Sequence, residues 1–487
     1  MNMEVGLAVF VIAAFFGVYL LIGYFSSRAS VPTLDDFMLA GRGFGQFVGF
    51  FMVSATWISV VFYLGGPGWF YTHGLAFAFV PAYAFTFGLT WWFFGKKVSD
   101  LGHEKGYFTQ AEMFGDFYKS EGARYLALIV GLMALMPYVQ SQFLALGYIA
   151  HAATGQLLPV WSGSFIAFIV VVIYVCIGGF RATAWTNVMQ GFLMFAGLFI
   201  IAGIVLYNYF DFSIARMFEM AYATHPENLT LPGGAGFMTP SMWGSYIILY
   251  GLCGGIWFPH LWVRAYAIKN KKFFQHYPKY ILGLYVFIVP TIIIIGLGGR
   301  IALADVPLES TDQILPALLT ASLSLPVAAI LLSGAIGGSM STIDGLTHTV
   351  GAMFTNDLIR RRWKVTDKQS MLYMRVIIFF VALTGLILGY IAPGALFALA
   401  ATASGLAGVL APSCIGALFK WKKATAAGCM VSLILGTFSA FIFEFVFQHP
   451  LNIHGGIWAT VIAIITYIVV CMATSGAVAQ NSNKEAL

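Results

Sequence analysis

The sequence predicts an all-α polytopic membrane protein. Of its 487 residues, 60% are apolar and only 9% are charged, whereas soluble proteins carry about 25% charged residues. Apolar runs long enough to cross a bilayer recur along the whole chain, and open sheets cannot span lipid because their edges leave backbone groups unpaired. This composition excludes a soluble enzyme, a nucleic-acid-binding protein and a disordered scaffold.

The apolar runs divide into thirteen transmembrane helices, which we number span 0 to span 12. A hydrocarbon core about 30 Å thick requires about 20 helical residues for each crossing. The predicted limits are 4–27, 43–72, 74–95, 122–150, 159–178, 187–210, 241–267, 278–302, 327–357, 370–392, 394–418, 424–447 and 457–474.

The basic residues give these spans an orientation. If the N-terminus lies outside, every Lys and Arg except Arg216 and Arg300 falls in a segment on the inside. Cytoplasmic loops carry the excess of positive charge, so we predict an N-out, C-in topology. The net charge of +6 reflects this topology rather than an acidic partner. The first span lacks a preceding basic segment, which argues against a cleaved signal peptide.

Helix-breaking residues occur in two spans that lie five apart. Gly65-Gly66-Pro67-Gly68 falls in span 1, and Gly254-Gly255, followed by Pro259, falls in span 6. Unwound backbone at membrane depth is tolerated only where it faces protein or a cavity. An odd offset makes the two helices cross in opposite directions, so spans 1–5 and 6–10 are predicted to be inverted repeats. Although Gly and Pro are common in membrane helices, this pattern is typical of an alternating-access secondary transporter.

We therefore predict a single membrane transport domain, 1–487, organised in five parts. These are a leading helix (4–27), a first repeat (43–210), a second repeat (241–418), two peripheral helices (424–474) and a short cytoplasmic tail (475–487).

Span 8 concentrates polar side chains in an apolar helix. Ser339, Ser341, Thr342 and Asp344 lie within two helical turns. Hydroxyl and carbonyl oxygens suit a small hard cation such as sodium, although Ser and Thr also bond to carbonyls of their own helix. An intramembrane carboxylate is a functional candidate by default, so Asp344 could bind a cation, carry a proton or be a satisfied polar residue.

The remaining polar groups suggest no catalytic chemistry. No nucleophile, metal cluster or pair of carboxylates lies at membrane depth, so we expect neither an enzyme nor a cofactor, only a coupling ion. None of the nine histidines has a metal-ligand spacing. His260, just after the break in span 6, could contact a substrate or be a structural imidazole, and His348 shares a helix face with Asp344.

Four separated stretches carry a family resemblance. The segment 178–190, Gly-Gly-Phe-Arg-Ala-Thr-Ala-Trp-Thr-Asn-Val-Met-Gln, closely resembles the signature of the sodium:solute symporter family. The stretches 35–42, 65–68 and 339–342 agree with that family in the same order. The resemblance covers roughly residues 4–420. It implies sodium-coupled symport of a small organic solute across a bacterial inner membrane, on a LeuT-like five-plus-five inverted repeat with discontinuous helices 1 and 6.

The resemblance also implies a sodium site that joins span 1 to span 8. Its ligands would be the carbonyls of Ala55, Ile58 and Gly338 and the hydroxyls of Ser341 and Thr342. These oxygens carry no formal charge, which suits weak and reversible binding in a transport cycle.

One residue departs from the family pattern. The signature usually has Asp where this chain has Asn187, and in some members that Asp supports a second sodium. An amide lacks the charge, so coupling to one sodium is favoured unless Asp344 supplies it. Asp344 and Asn187 are therefore the candidate second cation site.

Substrate contacts in such folds come from residues that flank the breaks. In this chain they form an aromatic and amide-rich set without a carboxylate or an arginine at its centre, which disfavours a cationic solute. They are Trp57, Ser59, Val60, Tyr63, Gln140, Gln142, Gly255, Trp257, Phe258 and His260. A small carboxylate could bind the exposed amides at the positive end of a half-helix.

The resemblance leaves the solute open. Gly65–Gly68 and Phe258-Pro259-His260 with Arg264 are most similar to the pantothenate and monocarboxylate branch. The alternatives are a proline-like amino acid and a sugar or sialic acid. Outside symport, a transporter-like membrane sensor and a proton-coupled carrier stay open, as does the oligomeric state.

Overall fold

The structure, a computed structural model, describes residues 3–232 and 238–485 and is helical throughout. Within these residues the β-structure is limited to one bridge between Phe44 and Ile268. The α-helices are Met3–Arg28, Leu34–Leu39, Gln46–Val60, Gly66–His73, Val80–Thr90, Lys96–Lys105, Gln110–Phe117, Glu121–Ala153, Val160–Phe210, Ile214–Thr224, Pro240–Ile248, Pro259–Ala267, Phe273–Ala302, Ile314–Ser322, Leu325–Met353, Arg360–Arg362, Asp367–Ile391, Leu396–Leu418, Ala426–Phe441 and Gly455–Glu485. Wide π turns extend five of them at Val61–Gly65, Trp91–Gly95, Leu249–Cys253, Phe354–Ile359 and Ile442–Val446.

Ten helices among the described residues are long and apolar enough to cross a membrane. One of them, Val160–Phe210, has 51 residues and contains both span 4 and span 5. Spans 2 and 6 are assembled from shorter segments. The helix Gly455–Glu485 continues beyond the predicted end of span 12, and residues 486 and 487 of the predicted tail lie outside the described residues.

The junction of spans 4 and 5 bends at Gly179, which has φ 56° and ψ −151°. This conformation is open to glycine because a side chain would clash with its own backbone. A Cβ at Gly179 would also lie 2.8 Å from the carbonyl oxygen of Phe37. The bend therefore lets the short helix Leu34–Leu39 pack directly on the segment that carries the family signature.

The break in span 1 is not where the glycines and proline predicted it. Helical backbone continues through Gly65–Gly68, and the interruption is at Ser59, with φ 48° and ψ −174°. The glycines serve close packing instead. A Cβ on Gly66 would lie 2.9 Å from Ile292, and one on Gly68 would lie 2.9 Å from both Thr311 and Asp312.

The break predicted in span 6 is confirmed. Pro240–Ile248 continues into the π turn Leu249–Cys253, the helix stops at residues 254–258, and it resumes at Pro259–Ala267. Proline is favoured in the first turn of a helix, where no backbone donor is needed.

The N-terminal end of span 1 is tied to the C-terminal end of span 6. The Phe44 N–H donates to the Ala267 carbonyl at 3.2 Å, and the Lys269 N–H donates to the Phe44 carbonyl at 2.9 Å. The two broken helices are thus joined at their ends and approach each other near their breaks.

Candidate functional site

The break at Ser59 faces the polar turns of span 8. The hydroxyl of Ser341 donates to the carbonyl of Ala55 at 3.1 Å, and the hydroxyl of Thr342 donates to the carbonyl of Thr56 at 3.1 Å. All four residues are fully buried. Uncharged oxygens from two helices therefore converge at a point shielded from lipid.

Gly338 completes this convergence. Its carbonyl accepts from the hydroxyls of Ser341 and Thr342 at 2.9 and 3.2 Å. A Cβ at this position would lie 3.2 Å from the amide nitrogen of Val60, so glycine allows span 8 to approach the break closely. Ile58, the remaining predicted sodium ligand, directly precedes the break, and its carbonyl accepts from the Val61 N–H. These hard oxygen donors are chemically suited to Na⁺.

Tyr138 on span 3 also holds the break, and sequence reasoning missed it. Its hydroxyl lies 3.1 Å from the carbonyls of Thr56 and Trp57 and from the Ser59 hydroxyl. The Ser59 hydroxyl in turn accepts from the Val61 N–H at 3.1 Å. A tyrosine in an apolar span gives no local signal of this role.

A buried arginine lies beside the same junction. Arg264 is fully buried and donates to the carbonyls of Met52 and His260, each at 2.9 Å, and to the Thr56 hydroxyl at 2.7 Å. A Cβ on Gly345 would lie 2.0 Å from its Nη2, so the guanidinium packs against the backbone of span 8. This side chain folds back from the half-helix after the break, so its charge lies beside the junction of spans 1 and 8.

The two residues of the candidate second cation site, Asp344 and Asn187, bond to different partners. Asp344 Oδ2 accepts from the hydroxyls of Tyr174 at 2.8 Å and Thr186 at 3.3 Å. Asn187, the neighbour of Thr186, donates instead to the Thr56 hydroxyl at 3.4 Å. Within the described residues, Asp344 Oδ1 and Asn187 Oδ1 are buried without a hydrogen-bond partner. His348 does not join this group, since its Nε2 contacts the Phe37 carbonyl at 2.9 Å.

A small aromatic cavity lies between the two breaks. It measures about 20 Å³, which is room for about one water molecule. Trp57 stacks on Phe87 at its edge, with ring centroids 4.2 Å apart. The lining residues are Trp57, Val61, Phe62, Tyr83, Tyr138, Tyr250, Phe258, Phe397, Ala400 and Ser404. Of the predicted substrate residues, Trp57 and Phe258 are among them.

Several other predicted substrate residues point elsewhere. Tyr63 donates to the Leu331 carbonyl at 3.1 Å, Trp257 donates to the Leu252 carbonyl at 2.7 Å, and Gln140 donates to the Ala392 carbonyl. Gln142 donates to the neighbouring Ser141 hydroxyl at 2.9 Å. Gly255 packs on span 2, where a Cβ would lie 2.6 Å from Thr90 Oγ1. Ser59 and Val60 are buried at the break itself.

One buried side chain near the cavity has no hydrogen-bond partner in the described part of the chain. It is His260, both of whose ring nitrogens are unpaired, whereas the indole of Trp57 interacts with the Tyr285 hydroxyl. The His260 ring lies between two lining residues, 5.1 Å from Phe258 and 6.3 Å from Tyr138 between centroids. Buried polar groups are nearly always hydrogen-bonded, so an unpaired imidazole beside a cavity marks a place where a ligand can bind.

The comparison with protein families decides the class of protein to which the chain belongs. The model described as "Sodium:solute symporter family" matches residues 37–436. The chain belongs to the sodium:solute symporter family. It is a multi-pass membrane transporter, not an enzyme, and couples transport of a small solute to Na⁺.

Individual relatives agree over most of the chain. The sodium/pantothenate symporter of Haemophilus influenzae is 26% identical, covering 91% of both chains. The sodium/proline symporter 2 of Staphylococcus saprophyticus is 25% identical, covering 87% of this chain and 83% of its own. A solved Na⁺-coupled sialic acid symporter, in a substrate-bound outward-open state, has a TM-score of 0.79 and 15% identity over 97% of both chains. The shared fold is therefore LeuT-like and all-helical.

Proposed function

We propose that the solute is a small organic anion, either a monocarboxylate or a pantothenate-like acid. The observation that carries this proposal is the unpaired imidazole of His260 beside the cavity, next to the indole donor of Trp57. The indole nitrogen can only donate a hydrogen bond, and imidazole can donate one, so both suit a carboxylate acceptor. Arg264 adds a buried positive charge that binds the carbonyl of His260.

The lining of the cavity supports this choice. It contains aromatic, aliphatic and hydroxyl side chains and no acidic side chain among the described residues, so a cationic solute would lack a counter-charge. The resemblance to a pantothenate symporter over 91% of both chains agrees with an anion. Because the cavity is nearly closed, the solute enters only when the surrounding aromatic side chains move apart.

Uptake by the purified protein in proteoliposomes tests the solute class. Under an inward Na⁺ gradient we expect uptake of labelled pantothenate or a short monocarboxylate. Pantothenol, in which an alcohol replaces the carboxylate, is the matched control and should not compete. Competition by proline, sialic acid or a hexose but not by carboxylates would overturn the anion proposal. Binding without uptake would indicate a sensor.

Two conservative variants test the binding residues. Trp57→Phe keeps the stacking on Phe87 and removes only the indole donor. His260→Leu removes the imidazole. Since a hydrogen bond to a charged group contributes about 1.5–3 kcal/mol, each variant should raise KM roughly tenfold or more. Trp161→Phe, at a lipid-exposed tryptophan, is the control and should leave KM unchanged.

We infer that one Na⁺ binds to the carbonyls of Ala55, Ile58 and Gly338 and the hydroxyls of Ser341 and Thr342. The convergence of four of these residues at the break supports this site. A second Na⁺ beside it would lack a compensating charge at Asn187, and an unpaired buried charge costs several kcal/mol.

Reversal potentials decide the stoichiometry. A wild-type value of one Na⁺ per solute, unaffected by Asp344→Asn, supports the single site. A wild-type value of two that falls to one in Asp344→Asn would make Asp344 the second ligand. Asn187→Asp is the gain-of-charge control. Measuring uptake under a proton gradient without Na⁺ tests proton coupling.

We also propose the thirteen-span, N-out topology, with spans 1–5 and 6–10 as inverted repeats. Corresponding breaks in helices that lie five spans apart support the repeat. A cysteine at Lys271 should then be labelled only from the cytoplasm, and one at Glu227 only from outside. The opposite result at either position would overturn the topology.

A further inference from the structure

Three side chains able to bind a metal converge where span 11 ends and the loop to span 12 follows. Glu444 Oε2 lies 3.7 Å from His449 Nδ1 and 3.6 Å from His454 Nδ1. The three ligand atoms all lie within 4.8 Å of one another. This group is separate from the sodium site and the aromatic cavity, and symport as described above does not use it.

These separations fit a metal ion better than hydrogen bonds. A nitrogen–oxygen distance of 3.6–3.7 Å is too long for a hydrogen bond, for which N···O is about 2.7–3.2 Å. Zinc binds imidazole nitrogen and carboxylate oxygen at about 2.0–2.2 Å, and the edge of such a tetrahedron is about 3.4 Å. The distance from the carboxylate oxygen to each imidazole nitrogen is therefore close to the distance between two ligand atoms of one zinc ion.

The protonation of both rings is also suitable. His449 Nδ1 accepts from the Gly455 N–H at 3.3 Å, and His454 Nδ1 accepts from the Gly456 N–H at 3.1 Å. Each Nδ1 is thus the unprotonated nitrogen of its ring. Its lone pair accepts from a backbone N–H, and the nitrogen itself lies within 3.7 Å of the carboxylate oxygen. An incoming ion exchanges these two long backbone contacts for coordination.

The backbone is shaped to bring the three residues together. Gln448, His449, Leu451 and Asn452 all have φ between 48° and 63°, and the chain reverses through them. At Gly455 a Cβ would lie 2.8 Å from Glu444 Oε2, so only glycine fits against the carboxylate. A cavity of about 10 Å³, with room for about one water molecule, is lined by Glu444 and His454 and not by His449.

We propose that Glu444, His449 and His454 form a binding site for a divalent transition-metal ion. Two imidazoles and one carboxylate are the ligand set of three-residue zinc sites, in which water takes the fourth position. Imidazole nitrogen favours zinc, nickel and copper, whereas the hard ions Na⁺, Mg²⁺ and Ca²⁺ prefer all-oxygen sites. The site also connects to span 6, because the His454 ring packs 5.4 Å from Tyr246 and the backbone N–H of His454 donates to the Ser245 hydroxyl at 3.3 Å.

Calorimetric titration of the purified full chain in detergent with ZnCl₂ tests the site without depending on transport. We expect one zinc ion per chain. We expect Glu444→Gln and His454→Gln to weaken zinc binding by at least tenfold, because loss of even an outer-shell partner costs about 10–100-fold. His449→Gln removes the more exposed imidazole, so it tests the same site even if His454→Gln does not fold.

The matched control is His225→Gln. His225 Nδ1 lies 3.4 Å from Glu227 in another loop, as a two-member pair with no third ligand among the described residues. This variant should bind zinc as the wild type does. No zinc binding by the wild type up to about 1 mM (a free energy of about −4.1 kcal/mol) would overturn the proposal. So would equal zinc binding in all variants, or binding of Mg²⁺ as tight as that of Zn²⁺.

Discussion

The two broken helices of the symporter are interrupted by different means, at one residue in span 1 and over residues 254–258 in span 6. In span 6 the interruption coincides with local signals, since Gly254 and Gly255 relax the helix and Pro259 begins the next one. In span 1 it falls at Ser59, a residue with no helix-breaking tendency, in the left-handed region at φ 48°. Contacts from other helices hold that conformation, namely Tyr138 from span 3 and the hydroxyls of span 8.

This difference separates a break that the local sequence specifies from one that the tertiary structure imposes. A non-glycine residue in a sparsely populated conformation costs of order 1–3 kcal/mol and persists only where its surroundings determine it. The break in span 1 should therefore respond to changes in partner helices, whereas the break in span 6 should respond to changes at its own residues.

The largest expected effect is a loss of apparent Na⁺ affinity when a hydroxyl of span 8 is removed. Ser341→Ala and Thr342→Ala each remove an oxygen from an uncharged site at the imposed break. Because a contact to a charged group contributes about 1.5–3 kcal/mol, the apparent Na⁺ affinity for uptake should fall roughly tenfold or more. Ser333→Ala on the same helix, whose hydroxyl donates to the Ile330 carbonyl of its own helix, is the control. Wild-type Na⁺ dependence in both site variants would refute the assignment.

The next effect concerns the locally specified break. Gly255→Ala introduces a Cβ 2.6 Å from Thr90 Oγ1 and 2.9 Å from the Gly251 carbonyl. Overpacking of this kind costs about 1–3 kcal/mol, so the melting temperature in detergent should fall. Gly244→Ala in the preceding helix meets no atom within 4 Å and should melt at or above the wild-type temperature. Equal melting of the two variants would contradict a tight break.

A smaller effect is expected at Tyr138. Tyr138→Phe removes the hydroxyl shared by the carbonyls of Thr56 and Trp57, and a net loss of about 0.5–1.5 kcal/mol in stability follows. If the Tyr138 hydroxyl stabilises the strained backbone conformation at Ser59, Ser59→Gly should offset part of that loss, because glycine adopts φ > 0 freely. A double-mutant cycle of melting temperatures measures the coupling. Strict additivity would mean that Tyr138 does not hold the break.

The smallest effect is expected at Pro67. Since the helix continues through Gly65–Gly68, Pro67→Ala should leave the apparent Na⁺ affinity within about twofold of wild type, or about 0.4 kcal/mol. A tenfold change would show that the proline, and not Ser59, controls the break.

The sequence predicted the parts of this molecule that depend on local composition. Long apolar runs gave the helices, and the glycines of span 6 gave its break. The same reasoning failed at Gly66 and Gly68, because a glycine that admits a neighbouring helix looks identical in sequence to one that unwinds its own. A packing glycine differs from an unwinding one only in the residues that lie against it, here Ile292 and Asp312.

The missed site residues have a similar explanation. The sequence indicated Arg264 only through its similarity to one branch of the family, and it did not indicate Tyr138. Both act through contacts with carbonyls on distant spans, which no spacing along the chain reveals. Glu444, His449 and His454 recur at intervals of five residues, which matches neither a helix nor a strand. Left-handed backbone between them creates their proximity, and that conformation is not encoded by glycine at these positions.

The hydroxyls between spans 1 and 8 have a consequence for movement. Each has one proton and two carbonyls within reach, one across the interface and one on its own helix. Thr56 can donate to Ser341 or to Met52, Ser341 to Ala55 or to Gly338, and Thr342 to Thr56 or to Gly338. Rotation of the hydroxyl alone exchanges one acceptor for the other. Each hydroxyl therefore keeps a hydrogen-bond acceptor when the two spans separate. Their separation thus leaves none of these three hydroxyl donors unpaired.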